Sequence, residues 1–202
     1  MLYKILFTII ILLATWTAVS YFFERGIEEP AYTVIEKRDG YEIRQYEPYI
    51  VAQVNLPDLP YREAVTKGFT ILAAYIFGDN KTQQEFAMTA PVFIEESTEL
   101  AMTAPVFIES QTMSFVMPSQ YTRNTLPIPN DDRVTITEIP GRTVAVLTFS
   151  WWRTENRIAE KEGTLRRYLE RDGEEIRKIE YAGYNAPFTA PWLNRNEILI
   201  EI

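Results

Sequence analysis

The sequence predicts an α+β protein in which a largely antiparallel sheet follows an apolar N-terminal helix. Three observations lead to this prediction. The chain opens with a long uncharged apolar run, its remainder alternates short β-rich segments with two amphipathic helical segments, and the order of those segments repeats once. Strands that are interrupted by single helices, without regular βαβ alternation, favour an antiparallel sheet.

The apolar run covers residues 5–23, nineteen positions between Lys4 and the pair Glu24-Arg25. As a helix it would be roughly 28 Å long, which is enough to cross a bilayer. We therefore predict that residues 1–25 form a single-pass transmembrane anchor. The alternative is a cleaved signal peptide, because residues 18–20 resemble a small-x-small cleavage site.

Charge predicts the side of the membrane and the kind of partner. Lys4 and the terminal amine are the positive charges before the span, so the positive-inside rule keeps the N-terminus in the cytoplasm and places the domain in the periplasm or outside the cell. The net charge of −8, without a basic cluster, would repel a phosphate backbone. We expect the membrane as a partner and no nucleic acid.

The chain contains no cysteine and no histidine. It therefore has no thiolate nucleophile, no disulfide framework, no Ser-His-Asp arrangement and none of the usual zinc ligand sets. We predict a protein that is not an enzyme, with no catalytic residues and no metal site.

The first half of the domain, residues 26–202, begins with a short linker over 26–31. Residues 32–56 then alternate with β periodicity around turn signals at 39–40 and 47–48, which predicts two or three strands. Residues 59–80 change to helical periodicity, so we predict one amphipathic helix, and residues 112–118 predict a further strand. The helix would place these residues on one face: Val65, Phe69, Leu72 and Ile76.

From residue 134 the same order recurs. Residues 134–152 resemble a hairpin around Pro140-Gly141, and residues 179–202 resemble two closing strands. Between them, residues 154–173 predict a helix with Ile158, Leu165 and Leu169 on one side. Each half therefore consists of strand, strand, helix, strand, strand, which predicts an internal repeat.

Two tryptophans, Trp151 and Trp152, end the predicted hairpin. Neighbouring residues of a strand point to opposite faces, so we expect one indole to be buried and the other exposed. The exposed ring would be available to a partner.

A nonapeptide, Ala-Met-Thr-Ala-Pro-Val-Phe-Ile-Glu, occurs at 87–95 and again at 101–109. Read with period two, each copy has one apolar face, and Met88 and Met102 occupy equivalent places on it. The polar residues 96–100 are long enough to reverse the chain. We predict that the two copies are neighbouring strands of a hairpin.

The doubled "AMTAPV", the later "SFVMP" and the ending "YNAPFTAPWLNRNEILIEI" resemble the SOUL haem-binding protein family, whose bacterial members often carry the doubled segment. The resemblance covers residues 31–202, and its C-terminal pattern comprises Asn185, Pro187, Arg195, Asn196 and Glu197. It implies a distorted antiparallel β-barrel with two flanking helices and internal pseudo-twofold symmetry. It also implies binding of haem or another tetrapyrrole.

The helix predicted at 60–77 resembles the helix beside the pocket in this family. A groove between that helix and the methionine-bearing strands would accept a flat apolar ligand. Without histidine, Met or Tyr would have to ligate the iron, or hydrophobic contact alone would hold the haem. The candidate ligand-binding residues are Lys67, Phe69, Leu72, Ile76, Met88 and Met102. The alternative is that the helical positions and the methionines simply fill the core.

These features predict a membrane-tethered haem- or tetrapyrrole-binding protein that acts in transport or sequestration. The alternative is a non-catalytic interaction module, such as an accessory subunit of a larger membrane complex. The anchor and the missing histidine motivate that alternative.

Overall fold

A computed structural model describes residues 1–96, 111–186 and 188–202. Within these ranges the protein has three α-helices, a short 3-10 turn and one curled antiparallel sheet of nine strands, so the predicted α+β class is confirmed. The helices are α1 Leu2–Phe23, α2 Tyr61–Ile76 and α3 Glu155–Asp172, and the 3-10 turn is Pro191–Leu193. The strands are β1 Tyr32–Arg38, β2 Tyr41–Tyr46, β3 Tyr49–Asn55, β4 Val92–Glu96, β5 Thr112–Val116, β6 Thr135–Ile139, β7 Arg142–Phe149, β8 Lys178–Gly183 and β9 Asn196–Glu201.

Both helices of the domain form where the apolar periodicity predicts them. Pro60, which lacks an N–H, precedes α2. At the start of α3 the Thr154 hydroxyl accepts a hydrogen bond from the Arg157 amide at 3.4 Å, and Gly173, with φ 75°, ends the helix in the left-handed conformation. The predicted apolar side of α3, Ile158, Leu165 and Leu169, is buried.

The sheet shows the predicted internal repeat. Its strand order is β1-β2-β7-β9-β8-β4-β5-β3-β6. The two repeated units are β2-β3-α2-β4-β5 and β6-β7-α3-β8-β9. When each strand is replaced by its counterpart in the other unit, the strand order from β2 to β6 is the same as the original order in the opposite direction. A pseudo-twofold axis therefore passes between β8 and β4, and β1 is an addition at one edge.

Two short corners curl the sheet into a half-barrel. Residues 47–48 join β2 to β3, and residues 140–141 join β6 to β7, although five other strands separate the members of each pair. So short a connection requires the two ends of the sheet to approach each other. The hairpin predicted around Pro140-Gly141 is therefore wrong in its pairing: the turn is present, but β6 pairs with β3, and β7 pairs with β2 and β9.

The two faces of the sheet have different cores. On the outer face, α2 packs on β3 and β5 and α3 packs on β7 and β9, around one large apolar cluster. The opposite face, here called the inner face, has a smaller cluster that includes Tyr46, Phe93, Val144 and Leu199. Buried charged residues share the inner face, because Arg44, Glu180 and Glu197 alternate with members of this cluster along their strands.

Only part of the repeated nonapeptide falls within the described residues. Residues 92–95 of the first copy lie in β4, which pairs with β5 on one side and β8 on the other. The second copy, at 101–109, and the predicted hairpin between the copies lie outside the described residues. Within the described part of the chain, the strands next to the first copy are therefore β5 and β8.

The N-terminal helix α1 is long and apolar enough to cross a membrane by length and composition. The stretch Leu2–Phe22 has a mean hydropathy of 2.1, and 6% of it is buried. A signal sequence close to an N-terminus has the same properties. The helix therefore fits either of the two predicted roles.

The expectation that one of Trp151 and Trp152 is buried is wrong, since their exposed fractions are 47% and 50%. The reason is local. β7 ends at Phe149, so the alternation of side chains along a strand no longer applies to the two residues that follow.

Candidate functional site

A cleft of about 480 Å³ opens at the corner between β2 and β3. Four parts of the chain surround it: linker residues 28–31, corner residues 47–50, residues 116–123 at and after the end of β5, and Glu138 of β6. Small-molecule sites in proteins usually enclose about 300–1,000 Å³. The cleft is thus large enough for a small organic ligand.

The wall of the cleft is mainly aromatic and aliphatic, with two polar groups of interest. Tyr49, Ile50 and Met117 line it together with Tyr121, whose hydroxyl accepts a hydrogen bond from Gln84 Nε2 at 2.8 Å. Arg123 also lines the cleft and is exposed, and no ion pair of its side chain is found within the described ranges. A cation without a partner can bind a ligand carboxylate.

Glutamates surround the remaining rim of the cleft: Glu28, Glu29, Glu47 and Glu138. The Glu28 carboxylate accepts a hydrogen bond from the Ser119 amide at 2.6 Å, and Glu29 forms an ion pair with Arg195 at 2.9 Å. These contacts hold the linker against the domain. Four glutamates and one arginine therefore line the cleft, so its lining is acidic on balance.

Beside the cleft, the inner face contains a buried ion network around Glu197. Arg44 donates to both of its oxygens, at 2.8 and 3.0 Å, and Arg195 donates to Oε1 at 2.9 Å. Tyr184 and Thr148 donate through their hydroxyls, at 2.6 and 3.1 Å. Burial opposes ionisation of Glu197, but these donors and the two guanidinium charges lower its pKa below the ordinary value.

A second buried network has Glu180 at its centre. Arg142 Nη2 donates to Glu180 and, at 2.7 Å, to the hydroxyl of Tyr49, while Lys178 lies 3.1 Å from the same carboxylate. Burial alone would raise the pKa of Glu180, but the charges and hydrogen bonds of Arg142 and Lys178 lower it. Burial raises the pKa of Tyr49, which keeps that phenol neutral.

The buried arginines and glutamates of the inner face therefore neutralise one another. Arg44 and Arg142 each face a buried glutamate, so neither guanidinium is available as the main partner of a ligand carboxylate. Among the described residues, one donor of this face stays unsatisfied, Arg142 Nε. The arrangement rigidifies the sheet, and we assign it a structural role.

The predicted site residues on α2 separate into two groups. Leu72 and Ile76 are 0% and 2% exposed and belong to the outer core. Phe69 is 39% exposed, and its ring packs edge-on against Phe115 with centroids 5.3 Å apart. Lys67 lies on the exposed side of the helix. The structure thus brings the three apolar residues together on one helix, with Phe69 at the surface.

The two predicted methionines do not join this group in the described structure. Met88 is 38% exposed, lies between α2 and β4, and belongs to neither buried cluster. Met102 lies outside the described residues. The ligand-binding role of all six residues stays a prediction.

The cleft residues were missed by sequence reasoning. Tyr121 and Arg123 lie in a polar, proline-bearing loop, and a tyrosine beside an arginine in a long loop is the one local signal for a site. The opposite wall comes from the linker and the β2–β3 corner. Only the curl of the sheet brings those distant segments together.

The curled, twofold-repeated sheet with two outer helices defines an α+β domain of the half-barrel type. Residues 27–201 match the sequence profile of the family described as SOUL heme-binding protein. The chain belongs to the SOUL haem-binding protein family.

Individual relatives agree with that assignment. Heme-binding protein 2 of Homo sapiens is 30% identical over 180 residues, which cover 85% of this chain and 84% of the human protein. Heme-binding protein 2 of Mus musculus is 29% identical over 181 residues, covering 86% and 84%. The crystal structure of the EcmrR C-terminal domain aligns with a TM-score of 0.55 at 13% identity, over 84% of this chain and 96% of that one, and shows the likeness of the fold alone.

Proposed function

We propose that this protein is a membrane-tethered carrier of haem or a related tetrapyrrole, which it holds without histidine. Its membership of the SOUL haem-binding protein family carries the proposal. The names of the human and mouse relatives support the same ligand class. The role is binding for transport or sequestration.

The cleft at the β2–β3 corner is the proposed binding site. Its volume and its wall of Tyr49, Ile50 and Met117 suit a flat apolar ring. Arg123 supplies the cation for a ligand carboxylate, and the glutamates of the rim disfavour any carboxylate placed away from it. Haem would supply an iron centre, and Tyr121 is the oxygen donor of the cleft that suits iron.

The surface of α2 is the second proposed location. Phe69 offers an exposed ring, and Lys67, two positions earlier and on a different side of the helix, offers an exposed cation; the family resemblance implies a pocket beside this helix. The two locations share no residue, so variants can separate them.

The tether is α1. Its length and hydropathy support a single span, and the positive charge of Lys4 before it supports a cytoplasmic N-terminus with the domain on the other side. A protein held in this way would receive or release its ligand at the membrane surface.

Titration of the full chain in mild detergent tests the function. Haem and metal-free protoporphyrin are added separately, and Soret absorption and tryptophan fluorescence are recorded against empty micelles. We expect saturable binding of both ligands. Binding no greater than that of empty micelles would overturn the proposal.

Variants then locate the site. We expect Arg123→Ala to weaken binding of both ligands, and Tyr121→Phe to change the Soret band of haem while metal-free protoporphyrin still binds. Arg133→Ala, which removes an exposed arginine outside the cleft, is the matched control. If Phe69→Ala and Lys67→Ala weaken binding while Arg123→Ala does not, the site is the surface of α2.

A further inference from the structure

One face of α1 is bonded to the β8–β9 loop, defined as the residues between Gly183 and Asn196. Two polar side chains of the helix and that of the residue capping its C-terminus make the bonds, and their spacing of four residues places them on the same side. Trp16 Nε1 donates to the Phe188 carbonyl at 2.9 Å, Ser20 Oγ accepts from the Ala190 amide at 3.0 Å, and Glu24 Oε1 accepts from the Ala186 amide at 3.1 Å. The helix and the loop therefore lie side by side.

These bonds determine how far down the helix the loop extends. Glu24 is the first charged residue after the apolar stretch, and Trp16 precedes it by eight residues, about 12 Å along a helix. The apolar stretch Leu2–Phe22 is 21 residues long, roughly 31 Å as a helix, close to the ~30 Å of a hydrocarbon core. A loop that reaches the level of Trp16 thus lies alongside the part of α1 that is expected in the membrane.

The side chains around these contacts are apolar and exposed. Trp192 packs edge-on against Trp16 with ring centroids 5.4 Å apart, and the Trp151 amide donates to the Pro191 carbonyl at 2.9 Å, which joins the end of β7 to the same surface. Five exposed apolar residues of the loop and of the adjoining end of β7 are here called the aromatic face: Trp151 47% exposed, Trp152 50%, Phe188 51%, Trp192 37% and Leu193 37%. Tryptophan is enriched where proteins meet the membrane–water interface.

The backbone beneath the aromatic face makes hydrogen bonds within the protein. The Thr189 amide donates to Ala186, the Leu193 amide to Ala190 and the Asn194 amide to Pro191, at 3.0, 2.8 and 3.2 Å. Together with the three bonds to α1, they pair backbone groups that would be costly to leave unpaired in a lipid environment.

The backbone of Trp151, on the aromatic face, has an unusual conformation. Its φ of 80° is rare for a bulky residue, and the Asn196 side chain donates to its carbonyl at 3.1 Å. Backbone strain of this kind persists where surrounding contacts hold it, and such residues cluster at functional sites.

We infer that the aromatic face rests in the interface of the same bilayer that α1 crosses, so that the domain is seated on the membrane in one orientation. This inference relies on the membrane tether of the proposed function. The occupant of the face is phospholipid, at the boundary between its headgroups and its acyl chains. Because the chain carries a net charge of −8, apolar burial and not attraction to anionic lipid drives the contact, and salt has little effect on it.

Site-directed spin labelling tests the inference, because the chain contains no cysteine. Single variants Leu193→Cys and Trp152→Cys place a nitroxide on the aromatic face. Leu12→Cys in α1 reports on the tether, and Glu160→Cys on α3, an exposed position, is the aqueous control. The full chain is reconstituted in phosphatidylcholine nanodiscs, and collision with oxygen is compared with collision with a water-soluble nickel chelate.

We expect the labels at Leu193 and Trp152 to favour oxygen over the nickel chelate, as a label in lipid does, and to keep this preference in high salt. If they behave like the Glu160 label while the Leu12 label lies in lipid, the inference fails and the tether stands. If the Leu12 label is itself in water, the tether of the proposed function fails. If the face labels are shielded from both reagents, protein covers the face and the inference is overturned.

Discussion

Arg44 of β2 and Glu197 of β9 form a bidentate ion pair across β7, with Nη1–Oε2 at 2.8 Å and Nη2–Oε1 at 3.0 Å. Glu197 is 0% exposed and Arg44 3%. The ion pair is therefore buried on the inner face of the sheet, where apolar side chains would ordinarily pack. It also connects strands that come from different halves of the repeat.

Removal of Arg44 leaves a buried carboxylate with fewer partners. We expect Arg44→Met to lower the free energy of unfolding by about 3 kcal/mol, because the desolvated charge of Glu197 then depends on Arg195 and two hydroxyls. Guanidinium unfolding of the full chain in mild detergent, followed by tryptophan fluorescence, measures the change. The control Arg133→Ala removes an ion pair whose arginine side chain is 66% exposed, and should change the same quantity by less than about 0.5 kcal/mol.

Removal of both charges should restore much of this loss. In Arg44→Met/Glu197→Leu the buried carboxylate is removed together with its partner, Arg195 keeps its ion pair with Glu29, and the part-exposed Glu42 is the carboxylate that loses an ion pair with Arg44. The double variant should therefore be more stable than Arg44→Met in the same unfolding experiment. Equal or lower stability would show that the ion pair itself, and not the unpaired charge, accounts for the effect of Arg44→Met.

Acid should unfold the protein through its buried glutamates. The folded-state pKa values of Glu180 and Glu197 lie below the ordinary 4.5. The two carboxylates therefore contribute fully to the free energy of unfolding above pH 4.5, and this contribution is lost as the pH falls through the lowered pKa values. With no histidine to titrate, stability should stay nearly constant between about pH 5 and about pH 8. Unfolding free energies measured across this range and below it provide the test.

The variant Glu180→Gln checks the origin of that pH dependence. It removes one of the two buried carboxylates with lowered pKa while it keeps an acceptor oxygen for Arg142. Its stability should decline less steeply below pH 4.5 than that of the parent protein. A steep loss already near neutral pH would contradict the assignment to these glutamates.

Two helical glycines should respond in opposite ways to alanine. A Cβ at Gly68 of α2 would lie 2.3 Å from Leu56 Cδ2 and 3.4 Å from Met113 Sδ, whereas a Cβ at Gly163 of α3 would meet only the end of Arg167, at 3.9 Å. We expect Gly68→Ala to destabilise the protein by about 1–3 kcal/mol through overpacking. Gly163→Ala should stabilise it by about 0.5–1 kcal/mol through helix propensity. Thermal unfolding of both variants distinguishes the two effects.

The contact between α1 and the domain depends on Glu24. Glu24→Ala removes the acceptor of the Ala186 amide and of the Thr189 hydroxyl, so hydrogen exchange of the Ala186 amide should accelerate by about fivefold, as expected for one lost hydrogen bond. Glu24→Gln keeps a carbonyl acceptor and should retain most of the protection. Equal exchange in the parent and in Glu24→Ala would show that α1 does not dock in solution.

The sequence allowed prediction of the elements whose stability is local. The apolar periodicity of α2 and α3 and the glycine after α3 are visible along the chain, and so is the repeated order of elements. The pairing around Pro140-Gly141 was not predictable in this way. A turn signal marks where the chain reverses, but the curl of the whole sheet decides which strands then become neighbours.

The inner face explains why the rest of the site could not be predicted. Strand alternation predicts that Arg44 and Glu197 point to solvent, because their neighbours Ile43 and Ile198 point to the core. The half-barrel encloses this second face, so both are buried, and 153 positions separate the partners along the chain. Periodicity carries no information about such distant pairs.

The strand order has an evolutionary consequence. Within one repeat, β3 pairs with β5 and β5 with β4, but β2, β3 and β4 each also pair with a strand of the other repeat. A shorter ancestral chain with a single repeat would therefore have left those three strands with open edges. It could complete the same sheet only as a symmetric dimer with exchanged strands, and fusion of two such genes would give the present chain.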